Sequence, residues 1–259
     1  MHILVCVKRV PMVGGKIAVT SDGQDVDTRM SGFTVSPHEE CAVEEAVRLT
    51  ERLGGTVTVL TLGPAEAADQ LRDMLALGAG RALLLETDGR EWGPIATAEA
   101  IADAARSRAD GPDGPDGPFD LLLFGNEAAD TGDYQVAVRA AHMLGLPCVT
   151  GIKNLEIDGG GARARREYRG SAEAFDIPLP AVISVKEGIN LPRYPSLPGR
   201  LRARRAAIDV LYPQWRPEGL RKDGLRVPAQ ERRQARVLGS GAEAVPALVR
   251  LLEELGVLR

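Results

Sequence analysis

The residues best placed to do chemistry follow the short apolar run Leu121-Leu122-Leu123-Phe124, which Asp120 precedes and Gly125 ends. The segment from Asn126 to Asp133 then gathers Glu127, Asp130, Asp133, Ala128, Ala129 and Gly132, a mix of acids and small residues that lets backbone approach a ligand closely. Beyond it, Val136, Val138, Ala140, Ala141 and Leu144, stopped by Gly145, predict a helix from about Tyr134 with Asp130 to Asp133 at its cap. A strand feeding such a loop and a helix N-terminus suits a phosphate, because unpaired N–H groups and the helix dipole both favour an anion. Parallel sheets take ligands at that edge, past the carboxyl ends of their strands. A plain strand-to-helix turn has the same pattern. The carboxylates would meet ribose hydroxyls or an adenine edge, and spacing does not choose between them. Lys8 and Arg9, at the end of a strand over Ile3 to Val7, either face the phosphate or sit on the surface.

Several elements must hold this loop in place. Ser36-Pro37-His38-Glu39 reads as a capping box with proline at the first helical position, opening a helix to Leu53 with Ala42, Val43, Ala46, Val47 and Leu53 inward. His38 is a helix-start surface residue or a contact to base or ribose. Thr56 to Thr61 is a β-branched strand that ends at Leu62-Gly63-Pro64. A helix over Ala65 to Leu77, a strand over Arg81 to Leu85 and a helix over Gly93 to Ala109 come next, and Asp110 to Pro118 is a glycine-proline loop without a chemical role. The order to Gly145 is βαβαβαβα, which builds a parallel sheet between helix layers. A small hairpin in Lys16 to Thr20, an antiparallel hairpin joining Val149–Glu156 to Arg163–Tyr168, and a strand over Leu179 to Val185 complete the expectation. The fold class is α/β, a three-layer sandwich around a mostly parallel sheet of the adenine-nucleotide-binding type, with a C-terminal arm. Residues 1–186 form the α/β domain and residues 187–259 the docking loop and arm.

The totals narrow the function. A chain of 259 residues, 44% hydrophobic, can bury a full core. Its net charge of −4 gives no general attraction to nucleic acid or anionic membrane, and 4% aromatics argue against stacking on single strands. No apolar run approaches a membrane span and no signal-peptide pattern opens the chain, so a cytoplasmic address is expected. Cys6, Cys41 and Cys148 are odd in number and far apart, without CxxC, which fits buried thiols better than zinc ligands or disulfides. There is no nucleophile triad and no GxxxxGK[ST] loop, so no catalytic residue is assigned.

After residue 186 the composition changes. Ile189 to Pro198 carries three prolines in ten residues, and Arg200, Arg202, Arg204 and Arg205 follow on a short helix. Ile208 to Leu211 is a strand, Pro213 to Gln234 an arm with little core-forming capacity, and Ala242 to Leu255 an amphipathic helix. An arm that cannot bury itself needs another surface, which implies a protein partner.

Taken together, VCVKRV at Val5–Val10, SPHEECAVEEAVRL at Ser36–Leu49, LGP at Leu62–Pro64, LALGAGRA at Leu75–Ala82, the G-x-x-A-x-D loop at Gly125–Asp130 with Gln135, LPAV at Leu179–Val182 and INLPRYPSLPGRLRARRA at Ile189–Ala206 resemble the β-subunits of electron transfer flavoproteins. The resemblance implies a heterodimer with an α-subunit that holds most of a flavin adenine dinucleotide (FAD). Electrons would pass from dehydrogenases to a quinone reductase or another acceptor, so this chain would be an electron carrier subunit and not an enzyme. It also implies an adenine nucleotide within this subunit, AMP, or a second FAD if the protein splits electron pairs. By the same resemblance the contacts would be Cys6, Ser36, Pro37, His38, Glu39, Leu62, Ala128, Asp130, Thr131, Gly132, Asp133, Gln135, Val136 and Arg139, to which the strand-end reading adds Lys8. Leu197 and Leu201 would anchor dehydrogenases. Two positions depart from the family: Tyr134-Gln135-Val136-Ala137 lacks the hydroxyl that would meet the AMP phosphate, for which Thr131 is the substitute, and Leu191 stands where an acid is usual. The Gln-Val-small pattern is closer to members with a second flavin. The alternative function is a stand-alone adenine-nucleotide-binding protein of the stress type, which shares the architecture but needs no arm.

Overall fold

In the computed structural model the chain is described except at residues 13, 15, 16, 111–116, 220, 221, 229–234, 236 and 259. The order is β1 (His2–Cys6), β2 (Val10–Pro11), β3 (Phe33–Thr34), α1 (Pro37–Leu53), β4 (Thr56–Gly63), α2 (Ala68–Leu77), β5 (Arg81–Glu86), α3 (Pro94–Asp110), β6 (Leu121–Gly125) and α4 (Val136–Leu144). Then come β7 (Cys148–Ile152), β8 (Asn154–Asp158), β9 (Gly161–Tyr168), β10 (Ser171–Pro178), β11 (Ala181–Val185), α5 (Leu197–Arg205), β12 (Asp209–Leu211) and α6 (Val245–Glu254).

Seven strands form the central sheet in the order β12-β5-β4-β1-β6-β11-β7, with parallel pairing. Period-2 alternation sorts its side chains. Ile3, Val5, Leu121 and Leu123 pack with α1 and α2 on one face, while Leu4, Cys6, Leu122 and Phe124 pack with α3 and α4 on the other. Because both faces are covered, the strands read as continuous apolar runs. The chain reverses direction across the sheet between β1 and β6, and the crevice that binds ligands in such sheets opens there.

α1 starts where the capping box predicts. Ser36 Oγ accepts the Glu39 N–H at 3.3 Å, and Glu39 Oε2 accepts the Ser36 N–H at 3.1 Å. Other boundaries differ. α4 begins at Val136 rather than Tyr134, because Asp133 Oδ1 takes the Gln135 N–H at 2.7 Å and holds the chain in a turn. The Val149–Glu156 strand is two strands: Gly151 at φ +72° bends the chain, and Lys153 donates its N–H to Arg165 as it leaves the main sheet. β8, β9 and β10 then form a separate antiparallel sheet, and β10 is an addition. Its Ser171-Ala172-Glu173 start carries no apolar alternation. The early ribbon pairs β2 with β3, while Val19 and Val26 make only an isolated bridge; residue 16 of the Lys16–Thr20 hairpin lies outside the described residues. So does most of the Asp110–Pro118 loop.

The chain beyond residue 186 returns to the sheet, where β12 pairs with β5. α5 lies so close to α2 that a Cβ on Gly199 would stand 2.8 Å from the Ala76 carbonyl, and Arg72 Nη1 reaches the carbonyls at the end of α5, Ala203 at 3.0 Å first. No residue of α6 is buried.

Candidate functional site

A cavity of about 620 Å³ opens at the carboxyl ends of β1, β4 and β6. Its floor is Cys6, Leu60, Leu62 and Phe124, its polar rim is the loop after β6, and its far wall is Glu91 to Pro94 with Thr97 and Ile101. Ten of the candidate contacts line it: Cys6, Lys8, Glu39, Leu62, Ala128, Thr131, Gly132, Asp133, Gln135 and Val136. Ser36, Pro37, His38, Asp130 and Arg139 stand outside the lining; Ser36, Asp130 and Arg139 hold Glu39, Lys8 and Gln135, and His38 approaches Glu127.

The loop after β6 is closed on itself. The Ala128 N–H donates to Asp133 O at 2.9 Å and the Gly132 N–H to Ala128 O at 2.8 Å, with Gly132 at φ +65° where a side chain would be strained. Asp130 accepts Lys8 Nζ at 2.7 Å, tying the β1 end to this loop, and also accepts the Thr131 N–H at 2.9 Å. Gln135 provides no side-chain cap for α4. The N–H groups of the first turn, which helix geometry leaves without intrahelical acceptors, therefore receive no cap from it, and Val136 and Ala137 present that turn to the cavity. Arg139 holds Gln135 Oε1 through Nε at 3.0 Å and Nη2 at 2.6 Å.

The other side of the mouth is the start of α1. Glu39 is buried and accepts three hydrogen bonds, from Lys8 N–H at 2.9 Å, Ser36 N–H and Ser36 Oγ. Burial raises its pKa to about 7, with the bonds from Ser36 and Lys8 opposing the shift. Gly125 is required beside it: a Cβ there would fall 2.6 Å from Glu39 Cγ. Burial also pushes the Cys6 thiol well above its usual range, with Glu39 adding to the rise, so Cys6 is an inert neutral part of the floor. His38 accepts the Glu187 N–H on Nδ1 at 2.8 Å and places Nε2 at 4.0 Å from Glu127, whose other oxygen receives the Tyr134 hydroxyl. Arg9 is absent from the cavity lining and lies 3.2 Å over the Phe33 ring, a packing role that neither of its two readings foresaw.

The sequence reading missed the far wall. In that reading Glu91 and Trp92 have no role and Gly93 and Pro94 only start a helix, yet these residues join β5 to α3 at the same sheet edge and close the cavity. The signal was Trp92, one of two tryptophans, at a strand's carboxyl end. Its indole nitrogen is buried without a hydrogen-bond partner. Asn126, also missed, is pinned by Ser184 Oγ at 3.1 Å. Among the described residues no cluster of His, Cys, Asp or Glu could hold a metal ion, and no helix is long and apolar enough to cross a membrane.

The segment from Asn190 to Arg193 is mounted on the outer face of α1. Arg193 donates to Glu44 through Nε at 2.9 Å and to Glu51 through Nη1 at 2.6 Å; Asn190 Nδ2 reaches Cys41 O at 3.0 Å; Arg48 Nη2 reaches Leu191 O at 3.1 Å. Burial opposes charge on Glu44, but the bonds from Arg193 and Arg48 outweigh it and lower its pKa. Leu191, Tyr194, Leu197 and Leu201 are left exposed.

Comparison with known proteins agrees with this geometry. Residues 26–213 match the family model described as the electron transfer flavoprotein domain. The chain is 36% identical to the electron transfer flavoprotein subunit beta of Bacillus subtilis over 214 residues, 82% of this chain and 79% of that protein. It is 32% identical to the human subunit beta over 260 residues, 99% of this chain and 98% of that protein. A match that runs through the capping box, the β6 loop and the proline-rich segment mounted on α1, at this identity and coverage, places the chain in the electron transfer flavoprotein β-subunit family.

Proposed function

We propose that this chain is the β-subunit of a heterodimeric electron transfer flavoprotein and holds an adenine nucleotide in the cavity beyond β1, β4 and β6. The observation that carries the reading is the exposed first turn of α4 inside a cavity otherwise rimmed by carboxylates. A phosphate would take the backbone N–H groups at Val136 and Ala137, with Thr131 as the added hydroxyl. Glu39, Asp133 and Glu127 would face ribose hydroxyls or the base edge. Lys8 would draw Asp130 out of the phosphate's way and offset the charge. The apolar floor of Cys6, Leu60 and Leu62 suits a flat base and excludes water from it. These features fit AMP, or the adenylate half of a second FAD.

A flavin supplies the one- and two-electron chemistry when bound, and the protein supplies position and environment. In this reading the α-subunit holds most of the shared FAD. Residues 1–186 would form the nucleotide-binding domain, residues 187–259 the docking loop and arm. Leu197 and Leu201, 72% and 50% exposed, would anchor donor dehydrogenases, and electrons would leave to a quinone reductase or another acceptor. The apolar stripe of α6, with Val245, Leu248 and Val249 exposed, would bury itself on the α-subunit. A cytoplasmic address belongs to the same reading. The stripe favours this function over a stand-alone nucleotide-binding protein, which has no use for it.

The test is co-expression with a flavin-carrying α-subunit, followed by chromatography of the nucleotides released from the purified pair. AMP with one flavin, or two flavins without AMP, supports the reading and fixes the ligand. A chain that purifies alone and releases neither overturns it. Gly132→Val, which forces a β-branched residue to φ +65°, should empty the cavity while the far side of the sheet stays folded.

A further inference from the structure

We propose that residues 215–218 of the C-terminal arm strap the far wall of the cavity, with Glu218 as the positioning residue that fixes this wall. The inference rests on the nucleotide reading for its consequence but not for its geometry. α3 has no acidic residue in its first turn, and the approach Gly93-Pro94-Ile95 brings no capping side chain. The cap comes from a residue 122 positions away: Glu218 Oε1 accepts the Ala96 N–H at 2.5 Å. Its carboxylate lies where a Cβ on Gly93 would be, so glycine is what lets the arm approach. Its other oxygen, Oε2, is buried without a partner, so the carboxylate is committed to the helix rather than to solvent.

Three further residues of the arm hold the strap. Trp215 Nε1 donates to Glu91 O at 3.0 Å, Arg216 pairs with Glu99 at 3.4 Å, and Lys222 Nζ reaches Asp25 at 3.2 Å and Glu91 at 3.4 Å. Trp215 and Lys222 both land on Glu91, in the segment that carries Trp92 and closes the cavity, Arg216 lands on α3 just past it, and Asp25 gives Lys222 a second hold outside the wall. That segment has few bonds of its own, Arg90 N–H to Asp88 at 3.3 Å and Thr97 N–H to Gly93 O at 3.0 Å among them. The arm therefore supplies rigidity that the wall lacks. Lifting the arm loosens the wall and lets the nucleotide leave; by reciprocity, bound nucleotide steadies the arm.

The experiment uses the full chain with AMP and FAD as probes and compares wild type with Glu218→Gln and Glu218→Ala. Three quantities are read: nucleotide release rate, hydrogen exchange at residues 93–97, and protease cutting at residues 215–218 with and without nucleotide. Glu218→Ala should release nucleotide roughly tenfold faster, the size expected for a partly buried charge lost from a helix N-terminus, and expose the Ala96 amide to exchange. Glu218→Gln, which keeps an acceptor, should show a smaller change in the same direction. Nucleotide should protect the arm in wild type and not in Glu218→Ala. Unchanged Ala96 exchange and release in both variants would overturn the strap. If wild type binds neither probe, the nucleotide reading falls, while the exchange comparison still decides whether Glu218 fixes the wall.

Discussion

α1 and α6 are both amphipathic and both have proline in the first turn, yet α1 buries a whole face against the sheet and α6 buries no residue. α1 buries Cys41, Ala42, Val43, Ala46, Val47 and Leu49 against the sheet, lends Glu39 to the cavity mouth, and carries the proposed docking segment on its outer side. Nothing in α6 is buried, although Val245, Leu248, Val249, Leu252 and Leu255 recur at helical spacing. The same pattern has thus found its surface in one case and not in the other. α1 serves the fold of this chain, and in the proposed heterodimer α6 would serve the assembly.

The largest expected effect breaks α1. Leu49 is fully buried, and Leu49→Ala should cost about 2–5 kcal/mol of unfolding free energy in denaturant titrations. A loss under about 1 kcal/mol would mean that α1 packs no better than α6.

The next probe is pH. Glu39 has an ordinary value of 4.5 and rises to about 7 in the fold, chiefly through burial. Between these values the folded chain holds a proton that the unfolded chain has lost, so stability should fall as pH climbs through that window and level off above it. The total is on the order of 3 kcal/mol, because each tenfold change in proton affinity is worth about 1.4 kcal/mol. Glu39→Gln should remove this slope, as followed by thermal unfolding at successive pH values. A wild-type slope that persists in the variant would assign the effect elsewhere.

Much of this contrast was legible in the sequence. Ser36-Pro37-His38-Glu39 announces α1 because a capping box is a local device, complete within four residues. The β6 loop was legible because strand, glycine and helix follow in order. The far wall was not, since Glu91 to Pro94 become a wall only when β5 is placed beside β4 and the arm's Glu218 arrives from 122 positions away. The bend at Gly151 was hidden for a related reason: one continuous β-rich stretch serves two sheets, and only tertiary pairing shows where it divides.

A smaller effect tests how α1 carries the docking segment. Arg193→Ala leaves the buried Glu44 with Arg48 alone, at 2.6 Å, and frees Glu51. The cost should be about 1–2 kcal/mol of stability. The more telling result is the split between functions, measured on the assembled protein. Electron transfer from a dehydrogenase should need more carrier for half-maximal rate, because Leu197 and Leu201 lose a fixed mount, while nucleotide content stays the same. A variant that loses its nucleotide as well would show that α1 cannot move at one end without the other.

The smallest effect, at the opposite end of the comparison, is the one that defines α6. Leu248 is 46% exposed, so Leu248→Asp in the isolated chain removes no packed contact and should change unfolding free energy by no more than about 0.5 kcal/mol. In the presence of the α-subunit the same substitution places a charge in the middle of the stripe flanked by Val245, Val249 and Leu252, where it would have to be buried without a partner. Titration of the pair should then show affinity reduced at least tenfold, the consequence of about 1.4 kcal/mol. A substitution that is silent in both settings would leave the apolar stripe without a role. One that unfolds the isolated chain would make α6 part of this chain's own core, and the distinction from α1 would disappear.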